Sequence, residues 1–206
     1  MSKDLIDVFF IKRFDRESTD QGWSRKGYLS ALSFLGIGES EREHYSYLEL
    51  ADRMRQRGLS SDLEELFRRM VFNILCRNTD DHPRNHGFLL RDEKFSQSPA
   101  FDITPTPRGE GVSTRPQLAM VVGYLAGRQA SLENALSSCS RFGLTSEEAG
   151  HIITIITEKC LNTWEESFRL FGVSSQDKAM FNHTFERWGS QYGDPDNSEE
   201  FSPSPG

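Results

Sequence analysis

A chain of 206 residues, 36% hydrophobic and 27% charged, suits one large water-soluble domain or two small ones. Its formal net charge of −7 excludes a general nucleic-acid coat, which needs a positive face. No apolar run reaches membrane-spanning length and Met1-Ser-Lys-Asp lacks a signal peptide's apolar core, so a cytoplasmic location is expected. Cys76, Cys139 and Cys160 are odd in number and widely spaced, which fits buried thiols better than a disulfide framework or a zinc knuckle.

In chain order, Asp4 to Ile11 is β-branched and aromatic and closes on Lys12 and Arg13, the pattern of a buried strand. Asp15-Arg16 opens a polar loop through Gly22. Tyr28, Leu29, Leu32, Phe34 and Leu35 predict one or two helical turns ended by Gly36 and Gly38, and residues 39–44 a charged loop. Tyr47, Leu50, Ala51 and Met54 lie at helical spacing, with Gly58 as the stop after Arg53, Arg55 and Arg57. Those arginines read as a solvated helix end, the alternative being an acidic partner. Ser61-Asp-Leu-Glu64 has the pattern of a capping box. It opens the strongest helix, in which Leu63, Leu66, Phe67, Met70, Val71, Ile74 and Leu75 form one apolar stripe.

Past a dense polar run, Gly87 to Ala100 looks like a hairpin, and Thr104 to Gly111 is turn-rich and expected to be mobile. Residues 117–126 are apolar, either a short strand or an irregular core segment. Leu132, Ala135, Leu136 and Cys139 share a helical face that stops at Gly143. Thr145-Ser-Glu-Glu148 is a second capping box, opening a helix closed by Gly172. Ser174 or Ser175 starts a last helix carrying Met180, Phe181, Phe185 and Trp188. The fold class is therefore mainly α with a few short strands. The expected organisation is a terminal strand and hinge-like segment over 1–16, a helical lobe over 17–189, and a disordered acidic tail over 190–206.

The polar run is Asn78-Thr-Asp-Asp-His-Pro-Arg-Asn85. Pro83 disfavours helix at His82 and removes a backbone donor, which predicts a rigid extended loop on which Asp80 and Asn85 can converge. Asp102 follows in Pro99-Ala-Phe-Asp-Ile-Thr-Pro105. An Asp base, an Asn ligand and a later Asp ligand form the arrangement that phosphoryl transfer uses. Three other readings stand beside it. The run is a plain polar surface loop; or Asp81, His82, His86 and Asp102 serve a zinc or manganese hydrolase, with no evident third nitrogen ligand; or Asp81 is structural and accepts from loop amides.

The run, with Phe101-Asp102, resembles the catalytic and metal-binding loops of HipA-family toxin kinases. Lys12-Arg-Phe-Asp-Arg16 resembles that family's nucleotide hinge, and Tyr45-Ser-Tyr-Leu-Glu-Leu-Ala51 its helix start after a variable loop. The resemblance implies the large, C-terminal lobe of a protein-kinase-like fold and an ATP- and Mg2+-dependent serine/threonine kinase of a bacterial toxin–antitoxin pair. It makes Asp80 the catalytic base, places His82 near the phosphates, and assigns Asn85 and Asp102 to magnesium. Arg13, Phe14 and Asp15 become nucleotide contacts. Implied partners are a DNA-binding antitoxin and a protein substrate, an aminoacyl-tRNA synthetase in known cases. In the family a phosphate loop and its lysine precede the hinge, in the small lobe. About eleven residues precede it here. Weak activity alone is therefore expected, the alternative being a non-catalytic remnant or split-kinase subunit that binds an antitoxin or a small-lobe partner.

Overall fold

The structure is a computed structural model describing residues 10–107 and 116–192, the side chains of 183 and 186–192 excepted. The chain begins with β1 (Arg16–Thr19), β2 (Gly22–Arg25) and β3 (Tyr28–Ser30), then enters α1 (Ala31–Leu35), α2 (Tyr47–Gln56) and α3 (Leu63–Leu75). It continues through β4 (Gly87–Arg91), β5 (Lys94–Gln97), α4 (Leu132–Leu136), α5 (Ser146–Leu170) and α6 (Ser175–Tyr192).

Every member of the α3 stripe from Leu63 to Leu75 is buried, and the opposite face carries the pairs Glu64–Arg68 (2.6 Å) and Glu65–Arg69 (2.8 Å) one turn apart. Around the stripe pack Leu50, Ala51 and Met54 of α2, Ala135 of α4, and Ile152 and Ile153 of α5. Each such side chain contributes roughly 1.5–3 kcal/mol by leaving water. A second cluster joins α5 to α6, with Trp164 stacked on Phe185 at 5.0 Å beside Cys76.

Local signals succeed where no tertiary contact competes with them. Thr145 Oγ1 accepts from Glu148 N (3.2 Å) while Glu148 Oε2 accepts from Thr145 N (2.8 Å), so that capping box forms. Donation from Thr145 N and from the Thr145 hydroxyl holds the Glu148 carboxyl below its ordinary range. The box expected at Ser61 does not form. A 3-10 turn, Ser60–Asp62, leads into α3, and Asp62 Oδ2 accepts from Gln97 N (2.6 Å), tying β5 to the helix start. Gly58 (φ 75°) and Gly172 (φ 71°) end α2 and α5 in the left-handed conformation, with Leu59 N donating to Met54 O and Val173 N to Phe168 O, both 2.9 Å.

The N-terminal expectations need correction. Residues 4–9 of the expected strand lie outside the described residues, and Phe10 and Ile11 are exposed and not in a strand. The expected polar loop to Gly22 is the exposed antiparallel hairpin β1–β2. Tyr28 and Leu29 belong to β3, not to a helix, and Leu29 pairs opposite Phe88 in the antiparallel sheet β3–β4–β5. The 87–100 hairpin is present as β4–β5. Residues 117–126 are irregular, held by isolated bridges such as Ser46 with Val121. Helix α6 runs to Tyr192, past the expected start of the tail; residues 193–206, and 108–111 of the turn-rich stretch, lie outside the described residues.

The three thiols are free; burial pushes Cys76 up to about 12 and Cys160 up to about 11, so both are poor nucleophiles. Among the described residues no helix is long and apolar enough to cross a membrane. Met70 is fully buried at the centre of the stripe. Met70→Asp should cost more than about 3 kcal/mol in urea unfolding and speed amide exchange across residues 78–86, which hang from the end of α3.

Candidate functional site

The site begins at an unusual helix end. Arg77 N donates to Ile74 O (3.2 Å) and Asn78 N to Asn73 O (2.9 Å), the same paired closure seen at Gly58 and Gly172. Here the left-handed residue is Arg77 (φ 57°), for which that conformation costs about 1–2 kcal/mol that a glycine escapes. The turn throws Asn78 to His86 off the end of α3. Asp81 N then bonds Asn78 O (3.3 Å), and Asn85 N bonds His82 O (2.8 Å) in a 3-10 turn over Pro83–Asn85. The backbone is extended at His82, as Pro83 requires, but the expected extended loop gives way to this tight turn. Ala119 N to Thr79 O (3.1 Å) and Ala31 N to His86 O (2.8 Å) pin the loop at both ends.

Beyond β5 the chain returns to the same place. Phe101 packs on Phe14 with ring centroids 5.5 Å apart, Asp102 is left-handed (φ 56°), and Thr106 N donates to Cys76 O (3.2 Å). The outcome is a cavity of about 130 Å3 lined by Asn78, Asp80, Asn85, Asp102, Thr104 and Thr106. Asp80, Asn85 and Asp102 are thus brought together from two separate stretches. The lining carries two carboxylates and no basic side chain, and every side chain in it offers oxygen. That donor set suits a hard cation such as magnesium, and lacks the nitrogen or sulfur that zinc prefers.

Asp81 faces the other way, into the core at 2% exposure. Its Oδ2 accepts from the Tyr47 hydroxyl and lies 2.9 Å from His86 Nε2, while Asn73 Nδ2 donates to the Tyr47 oxygen (3.1 Å) and Asn78 Nδ2 to Asn73 Oδ1 (3.1 Å). Burial and the Asp81 charge push the Tyr47 phenol well above its ordinary pKa, so it stays a donor. Asp81 is structural, as one reading held, but its partners are side chains rather than loop amides. His86 belongs to this core network and His82 sits 3.2 Å from Arg84 Nη2, so the two histidines do not form a metal pair. No three His, Cys, Asp or Glu side chains gather into a metal site among the described residues, and the hydrolase reading loses its centre.

His82 is not in the cavity lining, nor are Arg13, Phe14 and Asp15. Phe14 lies between Tyr28 (6.2 Å) and Phe101, and Arg13 is paired with Asp15 at 2.6 Å on the surface. Sequence reasoning missed Tyr47, Asn73 and Asn78. The available signal was an asparagine, Asn73, inside the most apolar face of the chain.

Fold and site together define a mainly helical domain that presents an acidic, oxygen-lined cavity where a helix end, a hairpin and a return segment meet. That fold is similar to HipA in the solved Shewanella oneidensis MR-1 toxin–antitoxin complex of HipA, HipB and operator DNA (TM-score 0.72, 16% identity). The match covers 93% of this chain and 50% of that one, so this chain spans about half the length of that HipA. No curated protein sequence matches. Residues 1–164 match the HipA-like C-terminal domain, and the chain belongs to that family.

The two adjacent aspartates should behave differently. Asp81→Ala leaves the Tyr47 and His86 donors buried, at about 1–3 kcal/mol for each orphaned group in urea unfolding. Asp80→Asn, at the cavity surface, should shift stability by less than about 0.5 kcal/mol.

Proposed function

We propose that this chain is the catalytic-loop lobe of a serine/threonine protein kinase acting with ATP and magnesium. The observation that carries this reading is the convergence of Asp80, Asn85 and Asp102 on one small cavity free of basic side chains. Magnesium, when bound, supplies the positive charge that phosphate oxygens need as a phosphoryl group moves. Asn85 and Asp102 offer it oxygen, and its charge would offset the pair of carboxylates in the lining. Asp80, exposed at the cavity, is free to orient a substrate hydroxyl and take its proton. Phe14, set between Tyr28 and Phe101, gives an adenine ring an apolar face, and the Arg13–Asp15 pair steadies the segment that carries it. His82, beside Arg84 at 3.2 Å, is assigned to the phosphate side of the site.

The similar HipA chain is about twice as long, which supports a small-lobe contribution to phosphate binding, from the same protein or from a partner. That HipA is complexed with HipB and operator DNA, which motivates an antitoxin as a partner here. A cytoplasmic protein substrate completes the proposal.

Because phosphoryl transfer depends on positioning and charge stabilisation, the chain alone should bind Mg-ATP more weakly than micromolar in titration calorimetry. With a small-lobe partner present, Asp80→Asn should lower phosphate transfer about 100-fold or more, and Asp102→Asn should abolish metal-dependent nucleotide binding. Nucleotide binding that ignores Asp102→Asn, or phosphate transfer that ignores Asp80→Asn, would refute the kinase reading.

A further inference from the structure

We infer that Asn78 is a further oxygen ligand for the cation of this cavity, and that a buried hydrogen-bond relay from Asp81 decides which end of its amide is offered. The inference rests on the reading of the cavity as a divalent-cation site.

The argument follows the protons. The Asp81 carboxylate receives Tyr47 and His86 on the same oxygen, so it acts as an acceptor. Tyr47 has one hydroxyl proton and gives it to Asp81. Its oxygen can then only accept, and it accepts from Asn73 Nδ2 at 3.1 Å. That fixes the sense of the Asn73 amide, whose Oδ1 faces Asn78. Asn78 must in turn present Nδ2, and does, at 3.1 Å. Reversing any one amide would set two acceptors or two donors face to face.

Asn78 is 1% exposed and lines the cavity with Asp80, Asn85 and Asp102. With Nδ2 turned to Asn73, Oδ1 is the acceptor that this amide can offer the cavity. A neutral oxygen there complements the amide of Asn85 and the carboxylate of Asp102 without adding a third negative charge. Tyr47 and Asn73 touch neither cavity nor cation; they are positioning residues that act through Asn78.

The test uses Mn2+ alone as the probe, titrated into the whole chain and followed by the electron paramagnetic resonance of the free ion. Circular dichroism checks each variant's fold. Asn78→Ala and Tyr47→Phe should each weaken Mn2+ by about tenfold, the range typical of lost ligands and their supports. Asn78→Asp should bind Mn2+ more tightly than Asn78→Ala, because both lose the donor to Asn73 Oδ1 and only Asp keeps an oxygen at the cavity. A merely structural asparagine predicts the reverse order, since Asp adds an acceptor against Asn73 Oδ1 and Ala does not.

Should Asn78→Ala bind Mn2+ like the parent while Asp102→Asn loses it, the inference fails and the cation site stands. Should Asp102→Asn and Asn85→Ala also bind unchanged, the cation site itself fails. If Tyr47→Phe does not fold, the Asn78 variants decide, and weaker binding by Asn78→Asp than by Asn78→Ala overturns the proposal.

Discussion

The site depends on a carboxylate that never reaches it. Asp81 is 2% exposed, and a buried charge is tolerated only when partners satisfy it. The Tyr47 hydroxyl from the start of α2 and His86 at the entry to β4 are those partners. Satisfying them fixes the loop between α3 and β4 in depth and rotation. With residue 81 committed inward, its neighbour Asp80 is left at the cavity. The geometry of the cavity is therefore a consequence of core satisfaction, and no contact made by Asp80 itself is needed to hold it.

Two backbone closures convert that anchor into a cavity. Ser98 N donates to Gly87 O (2.8 Å), which brings the chain back across the sheet after β5, and Thr106 N donates to Cys76 O (3.2 Å), which lays the return segment against the end of α3. Asp102 lies between these bonds, seventeen residues beyond Asn85 in sequence yet lining the same cavity. The asparagine relay from Tyr47 runs beneath the loop, so core and cavity share one polar skeleton.

Much of the fold was legible because it is local: the stripe of α3, the Thr145 capping box, the glycines at 58 and 172. The failures share one cause. Ser61-Asp-Leu-Glu64 carries the same pattern as Thr145-Ser-Glu-Glu148, but Asp62 is taken by Gln97 of β5, a contact no local pattern encodes. The helix end at the site uses the same closure as Gly58 and Gly172, with arginine where glycine would announce it. Tyr47 and Asn73 look like ordinary members of helical faces until the burial of Asp81 gives them a task. The motif residues Asp80, Asn85 and Asp102 could be named from their pattern, whereas the groups that hold them could not.

Backbone strain singles out the same place. Among the described residues, the non-glycine positions with positive φ are Arg77, Asp92, Glu93 and Asp102. Asp92 (φ 46°) and Glu93 (φ 62°) are the two central residues of the β4–β5 turn, where a two-residue hairpin demands that conformation to match strand twist. Arg77 takes it at the helix closure of α3, where glycine is usual, and no such turn explains Asp102. One stands at the exit of α3 and the other carries a lining carboxylate, so they bracket the cavity from both stretches that build it. Strain of order 1–3 kcal/mol persists only where the surroundings over-determine it. Here the surroundings are the buried Asp81 network on one side and the Cys76–Thr106 bond on the other. Two unfavourable residues flanking one acidic cavity mark it as a place where geometry outweighs local stability.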